Sequence, residues 1–286
     1  MNKITLVTAF FDIKREEFGK FARSNDKYFN DFKRWARIKN DLIFFCENAE
    51  YGERVKQIRE EFGLKNTKIV VLDDITKIQP ELLAKMQEIE KNEYFLNFRA
   101  YKPNPENRAM YNYVMLMKFY CLMKAGEMTE VNEQIAWMDF GFEHGGATFA
   151  DENDYAFEWK YDFGDKITMF YIPPIDERPM FEICRAMEPV CVMGMMFVVP
   201  KKHTNILWNL FVECETEFAN VGLMDDDQPF MLMCSRKRPD IFDLRVSDWF
   251  MPLHDFGGEH IKIKPKEKIS FMRKVKNKIK RILHKK

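Results

Sequence analysis

The chain has 286 residues, in which 45 Lys and Arg balance 45 Asp and Glu, and 46% of the residues are hydrophobic. This length is sufficient for one large α/β domain or two small domains. The 27 Phe and 19 Met exclude a largely disordered chain, because disordered segments are poor in apolar residues. The six cysteines stand singly within apolar segments, which favours reduced thiols over disulfides or a zinc site. No stretch approaches the roughly 20 apolar residues of a membrane span, and no secretory leader is visible, so we expect a cytoplasmic protein.

The positive charge is concentrated at the end of the chain. Residues 261–286 contain ten Lys, two Arg and one Glu, a net charge of +11, so the remaining residues carry −11. Apolar residues recur there at the three- and four-residue spacing of an amphipathic helix that lies in a membrane interface. They are Phe271, Met272, Val275, Ile279, Ile282 and Leu283.

This pattern predicts a folded domain over residues 1–258 and a basic amphipathic tail over residues 259–286. We expect the tail to hold the protein peripherally on the inner face of the cytoplasmic membrane, where anionic lipids attract Lys and Arg. A disordered, solubilising tail is the alternative. A nucleic-acid partner is not expected, because a nucleic-acid groove carries positive charge and the body of this chain is acidic.

The first hundred residues alternate between strand-like and helix-like patterns. Strands and helices are predicted in turn over residues 4–11, 28–38, 41–46, 51–62, 68–72 and 80–94. Such alternation is typical of a parallel sheet with helices on both faces.

A long helix is predicted to begin at Asn104-Pro-Glu and to end near residue 125, before a buried strand that ends at Asp139. Further along, the pattern predicts an edge or exposed strand over residues 166–171, a buried strand over 190–199, and helices over 206–220 and 229–234.

Asp139 ends the apolar run that begins at Ile135, and glycines follow it at 141, 145 and 146. Ligands of open α/β sheets bind beyond the carboxyl ends of the strands. An acid at this point can hold Mn²⁺ or Mg²⁺ against a phosphate-bearing ligand. The alternative is an acid that only begins a turn.

Lys118 has five apolar residues on each side within the long predicted helix. One interpretation is that its side chain extends along an apolar surface and places the ammonium in water. In the other, the ammonium meets an anion, and a diphosphate at the adjacent edge of the sheet would serve.

Gly194 interrupts a buried strand, which predicts a bulge or the close approach of another backbone or a ligand. Three consecutive acids, Asp225, Asp226 and Asp227, then precede Gln228 at the start of a helix. Adjacent carboxylates repel one another, so at least one of them should have a raised proton affinity or a cationic partner. Simple N-capping accounts for one Asp but less well for three.

His254 lies in a segment that closes the predicted folded domain and ends in Gly257-Gly258. On a tight loop beside bound phosphates, its neutral imidazole could be a ligand for Mn²⁺. A surface or packed histidine is the alternative, and His144 and His203 lie in loop contexts that rank lower.

The order of these motifs resembles that of GT-A-type nucleotide-sugar glycosyltransferases. Up to about Gly258 the chain more closely resembles the HtrL/YibB family, bacterial proteins associated with surface-polysaccharide and lipopolysaccharide loci. The resemblance is carried by Val7-Thr-Ala-Phe-Phe-Asp-Ile13 with Arg15, Tyr28 with Phe32 and Trp35, Asn104-Pro-Glu with Tyr111 and Lys118, Trp137-Met-Asp-Phe-Gly141, and Asp226-Asp-Gln228. In one departure, the usual Asp-x-Asp is Asp139-Phe-Gly141 here, so the second metal-binding acid is missing.

The resemblance implies a GT-A-like, Rossmann-type α/β fold with a mostly parallel sheet, and a glycosyltransferase (a hexosyltransferase). The expected donor is a nucleotide-diphosphate sugar, namely a UDP-sugar, and the expected acceptor is a glycan or lipid-linked acceptor of lipopolysaccharide, O-antigen or capsule biosynthesis. The implied nucleotide-sugar contacts are Thr8, Ala9, Phe10, Asp12, Arg15, Lys118, Asp139 and Gly194, the implied metal ligands are Asp139 and His254, and the implied catalytic residues are Asp226, Asp227 and Gln228.

An Asp of the 225–227 cluster would deprotonate the acceptor hydroxyl in an inverting enzyme, or bind acceptor or donor hydroxyls in a retaining one. The rival hypothesis is a non-catalytic sugar-nucleotide-binding or assembly protein of the same pathway, which the missing second acid supports.

Overall fold

The computed structural model describes residues 3–100, 104–128, 130–187 and 192–265. Most of the predicted basic tail, from residue 266 onward, lies outside the described residues. Over the described ranges, none of the helices combines the length and the apolarity that a membrane crossing requires.

Within the described residues, seven strands form one sheet: β1 (Ile4–Phe10), β2 (Leu42–Cys46), β3 (Thr67–Val71), β4 (Gln134–Met138), β5 (Ile167–Tyr171), β6 (Val192–Pro200) and β7 (Phe242–Val246). The same residues contain the helices α1 (Asn25–Trp35), α2 (Ala49–Glu60), α3 (Pro80–Glu90), α4 (Glu93–Phe98), α5 (Ala109–Gly126), α6 (Met180–Ala186), α7 (Thr204–Asn220), α8 (Asp227–Lys237) and α9 (Pro252–Asp255).

The sheet has the strand order β3-β2-β1-β4-β6-β5-β7. Neighbouring strands are parallel, except that β6 runs antiparallel to both β4 and β5. The prediction of an α/β fold with a mostly parallel sheet flanked by helices is therefore confirmed. The prediction of an edge or exposed strand over residues 166–171 is wrong, because β5 lies between β6 and β7 and is buried from Ile167 to Phe170. Its polar Thr168 is fully buried.

Each face of the sheet carries its own hydrophobic core, because successive side chains of a strand point to opposite faces. In β1, Val7 belongs to the core that includes residues of α3, α5, α7 and α8. Leu6 and Phe10 belong to the other core, with residues of α1 and α2. Hydrophobic burial on both faces explains why the strands read as continuous apolar runs.

The direction of chain progression reverses between β1 and β4. From β1 the chain continues to β2 and then β3 on one side, and it returns to place β4 on the other side of β1. Such a switch leaves a crevice beyond the carboxyl ends of the two strands, where ligands of open α/β sheets bind. The antiparallel β6 begins at this same edge, since Met196 pairs with Met138 at the end of β4.

The loop after β4 turns sharply, and hydrogen bonds to one of its own buried side chains hold it in place. Glu143 and His144 have positive φ angles of 61° and 49°, which non-glycine residues rarely adopt. The buried Glu143 carboxylate accepts hydrogen bonds from the backbone N–H groups of Thr148 and Phe149 and from the Tyr155 hydroxyl. These bonds offset the conformational cost of the turn.

The last described residues of the chain pair with this same loop. The Ala150 N–H donates to the Lys262 carbonyl, and the Lys264 N–H donates to the Thr148 carbonyl, both at 2.8 Å. Ile261 is buried beside them. The first residues of the predicted tail, up to residue 264, are thus bonded to the body of the protein.

Candidate ligand-binding site

A cavity of about 290 Å³ lies at the carboxyl ends of β1 and β4. It is lined by segments that follow both strands, by residues at the start of β6 and α8, and by side chains of α5. Ten of the twelve residues predicted for the site line this cavity: Ala9, Phe10, Asp12, Arg15, Lys118, Asp139, Gly194, Asp226, Asp227 and Gln228. Five segments separated in sequence thus meet where the strand order reverses.

Two predicted residues, Thr8 and His254, do not line the cavity. Thr8 is fully buried within β1, two residues before its end. His254 lies in α9, where its Nδ1 is 3.0 Å from Oδ1 of Asp255. The structure therefore does not bring His254 together with Asp139 in the cavity, because α9 directs this ring to its own neighbour. The lower-ranked His144 lines the cavity instead, and burial lowers its pKa, which favours the neutral imidazole.

Lys118 is buried, with only 5% of its surface exposed. Its Nζ lies 2.8 Å from Oδ1 of Asp139, 2.7 Å from Oδ2 of Asp227 and 3.1 Å from the Gly194 carbonyl oxygen. Although burial lowers the pKa of this ammonium, the two carboxylates outweigh that effect and raise it. The interpretation in which Lys118 reaches water is wrong. The anion it meets is a pair of protein carboxylates, which together with the carbonyl occupy all three of its donors.

Asp139 receives a second hydrogen bond on the same oxygen, from Nε1 of Trp137 at 2.7 Å. About a third of the Asp139 side chain remains exposed, at 35%. Its Oδ1 is thus fixed by the protein, and Oδ2 is the oxygen left for a ligand.

The three adjacent acids are separated by their partners. Asp225 forms a buried ion pair with Arg99 through both oxygens, at 2.7 and 3.0 Å. Asp226 caps α8 by accepting from the Gln228 N–H at 3.1 Å, and burial and the charge of Glu106 raise its pKa. Asp227 pairs with Lys118. The prediction that at least one of the three acids has a raised proton affinity or a cationic partner is confirmed by the ion pairs of Asp225 and Asp227.

Gly194 allows the Asp227 carboxylate to reach Lys118. A Cβ atom at position 194 would lie 2.2 Å from Oδ2 of Asp227. A close approach does occur at Gly194, but the approaching group is this side-chain carboxylate and not the predicted backbone or ligand.

Arg15 has no charged partner among the described residues, although it is only 9% exposed. Its Nε and Nη1 are buried and form no hydrogen bond. The guanidinium lies over the rings of Tyr111 and Phe18, at 4.7 and 5.0 Å from their centroids. Aromatic rings hold the group in place and leave its in-plane donors unused. Since buried donors in proteins are nearly always paired, Arg15 is poised to bind an anion.

Glu106 and Tyr111 line the cavity but were absent from the predicted site. Glu106 is 3.8 Å from Arg99, and its pKa is raised to about 7, mainly by burial and by the charge of Asp225. Both residues belonged to the motifs of the family resemblance, and that was the only signal that could have identified them. Their spacing in the sequence carries no chemical pattern.

The fit of a divalent cation is poor. No group of three or more His, Cys, Asp or Glu with the geometry of a metal site occurs in the described ranges. Two acids of the cavity, Asp139 and Asp227, could serve as metal ligands, but both already bind the Lys118 ammonium. The residues present therefore do not form the predicted Asp139–His254 metal site.

A mostly parallel sheet with a cavity at its switch point defines an open α/β fold. Comparison with known proteins identifies the family: the chain belongs to the family described as "Bacterial protein of unknown function (HtrL_YibB)", which it matches over residues 2–257. It is 30% identical over 266 residues to Protein HtrL of Escherichia coli (strain K12), covering 86% of this chain and 90% of that protein. The resemblance inferred from the motifs is confirmed.

Among solved structures, apo mouse xyloside xylosyltransferase 1 is similar over 84% of each chain, with 12% identity and a TM-score of 0.44. This similarity is too low to support an inference about function.

Proposed function

We propose that this protein is a glycosyltransferase that transfers a sugar from a nucleotide-diphosphate sugar, namely a UDP-sugar, to a glycan or lipid-linked acceptor of bacterial surface polysaccharide. The observation that carries the proposal is the buried, unpaired guanidinium of Arg15 in the cavity at the switch point.

The diphosphate of the donor would bind Arg15. A guanidinium binds phosphate oxygens through charge-assisted hydrogen bonds, and Nε and Nη1 of Arg15, which lie on different edges of the group, have no other partner. Charge on the leaving nucleotide diphosphate grows as the glycosidic bond breaks, and a fixed cation in a buried site stabilises that charge.

The nucleoside would lie toward the end of β1. Asp12 is held there by the Asn25 amide at 3.0 Å and by the Lys14 N–H at 2.8 Å. Although burial opposes the effect, these hydrogen bonds lower the pKa of Asp12. Asn25 and Tyr28 also line the cavity, so polar groups and an aromatic ring are available to a nucleoside.

The acceptor would bind near Asp226, Asp227 and Gln228. Asp227 is committed to Lys118, so Asp226 and Glu106 are the carboxyls available to take a proton from an acceptor hydroxyl. The pKa of Glu106, raised to about 7, favours this role for Glu106, because a base is effective when its pKa is near the working pH. Gln228, whose Oε1 is buried without a partner, would hold a sugar hydroxyl.

The acceptor class and location follow from the family resemblance and the basic tail. Residues 266–286 would hold the protein on the inner face of the cytoplasmic membrane, where a lipid-linked acceptor would be presented. No role for nucleic acid is proposed.

The test is binding and turnover with a panel of nucleotide diphosphates and their sugar conjugates, measured by calorimetry and by release of the nucleotide. We expect one nucleotide to bind the wild type and Arg15→Gln to weaken it by about 10–100-fold, the effect of losing a charged hydrogen bond. Arg238→Gln is the control, because among the described residues the Arg238 side chain pairs only with Asp240, on the surface. Equal affinities of the wild type and Arg15→Gln would refute the proposed phosphate site.

The second candidate function is a non-catalytic sugar-nucleotide-binding protein. It is favoured by the replacement of the second acid by Gly141. Tight binding of a nucleotide sugar without release of nucleotide, with a panel of acceptors present, would establish this alternative.

A further inference from the structure

The Lys118 ammonium is surrounded by three oxygens from three separate elements. They are a carboxylate after β4, a carboxylate at the start of α8 and a backbone carbonyl in β6, all within 2.7 to 3.1 Å. Two carboxylates and a carbonyl are the ligand types that hard divalent cations prefer. The lysine thus occupies the centre of an oxygen cluster of the kind that binds Mg²⁺ or Mn²⁺.

Neighbouring residues position the two carboxylates of this cluster so that a cation fits between them. Asp227 reaches the ammonium only because Gly194 lacks a Cβ atom, and Trp137 holds Asp139 from the other side. Two carboxylates at this separation repel each other unless a positive charge lies between them. The lysine enters from α5 with most of its side chain buried in the core, so the charge is covalently attached and always present.

We propose that Lys118 replaces a divalent cation, so that the protein binds its phosphate-bearing ligand without a metal ion. The lysine's place in the cluster excludes Mn²⁺ from the wild type, and its removal would convert the cluster into a metal site. On loss of the ammonium, the oxygens have to move inward to the distance of about 2.0–2.1 Å that Mg²⁺ requires. Only the consequence for the nucleotide ligand rests on the proposed function, since metal binding is measured on the protein alone.

The experiment titrates Mn²⁺ into the full chain and follows the free ion by electron paramagnetic resonance. The wild type should bind no Mn²⁺ at a single defined site. Lys118→Ala should bind one Mn²⁺ at least about tenfold more tightly than the wild type, and Mn²⁺ should raise its melting temperature. The double variants Lys118→Ala/Asp139→Asn and Lys118→Ala/Asp227→Asn should lose the gained site.

Lys27→Ala is the matched control. Lys27 also contacts carboxylate oxygens, at 2.7 and 2.9 Å, but both belong to the single residue Asp31. Its removal should create no comparable metal site, because one carboxylate does not provide the separate ligands of the Lys118 cluster.

A folded Lys118→Ala protein that binds no Mn²⁺ would overturn the proposal. If this variant does not fold, the test uses the wild type. Tight binding of one Mn²⁺ by the wild type overturns the proposal. No binding of Mn²⁺, together with equal binding of the nucleotide panel in EDTA and in Mn²⁺, supports it. If no nucleotide binds under either condition, the proposed function fails, while the Mn²⁺ titration still decides whether the wild-type site is closed to metal.

Discussion

Replacement of Arg99 by Met should strongly destabilise the protein, because it leaves a buried carboxylate without its cation. The Arg99 side chain has no exposed surface, and that of Asp225 is 4% exposed. Besides both Asp225 oxygens, the guanidinium donates to Oδ1 of Asn107 at 2.9 Å and to the Cys184 carbonyl at 2.6 Å. Breaking a buried ion pair by removing one partner costs about 3–5 kcal/mol. The free energy of unfolding of Arg99→Met should fall by an amount in this range. Surface ion pairs, by contrast, contribute less than about 1 kcal/mol.

The assay is urea unfolding at neutral pH, followed by circular dichroism and by tryptophan fluorescence. The double variant Arg99→Met/Asp225→Leu should recover part of the loss, because an apolar pair of similar size needs no charge compensation. A cost for Arg99→Met below about 1 kcal/mol would show that Asp225 finds another partner. A double variant no more stable than Arg99→Met would show that the uncompensated charge is not the cause.

Four further predictions concern the cavity and the tail. Gly194→Ala should cost about 1–3 kcal/mol in urea unfolding, since its Cβ would displace Asp227; unchanged stability would contradict the close approach. Glu106→Gln should remove a pH dependence, because a carboxyl whose pKa is about 7 in the folded protein stabilises the fold at low pH. The wild type loses this contribution as the pH rises from the ordinary pKa of a glutamate carboxyl to about 7. Over this window the free energy of unfolding of Glu106→Gln should therefore rise by at least about 1.4 kcal/mol relative to that of the wild type. Parallel plots of stability against pH for the two proteins would refute the raised pKa of Glu106. Asp139→Asn should fold normally but lower transfer by about 100-fold, and full turnover would exclude Asp139 from the reaction. Truncation after Pro265 should abolish binding to vesicles with anionic lipid, to which each Lys or Arg contributes about 1 kcal/mol; equal binding by both forms would show that the tail is not the anchor.

Most of the fold could be predicted because it depends on periodic burial. The alternation of apolar runs in the first hundred residues corresponds to β1, β2 and β3 with their intervening helices. The position of β5 could not be predicted, because Thr168 occupies a buried place that an apolar residue usually takes. Its location between two strands depends on the long-range order of the sheet, which local patterns do not encode.

The site was predictable where a residue conflicts with its surroundings. Packing alone favours an apolar residue over a lysine within an apolar helix, and a larger residue over a glycine within a buried strand. Lys118 and Gly194 are two such positions, and they are in contact in the structure. The partner of Lys118 was not predictable, because Asp139 and Asp227 are distant in the sequence. His254 was misplaced for the converse reason: a histidine beside glycines describes a loop but not the direction in which the ring points.

The pairing of residues 262–264 with residues 148–150 gives the end of the described chain a mechanical connection to the cavity. Thr148 accepts from Lys264 on one side and donates to Glu143 on the other. The next residue, His144, lines the cavity in the same left-handed turn. A force applied to the chain at Lys264 would therefore reach the cavity wall through two hydrogen bonds, so a pull on this end of the described chain would act on the loop that carries His144.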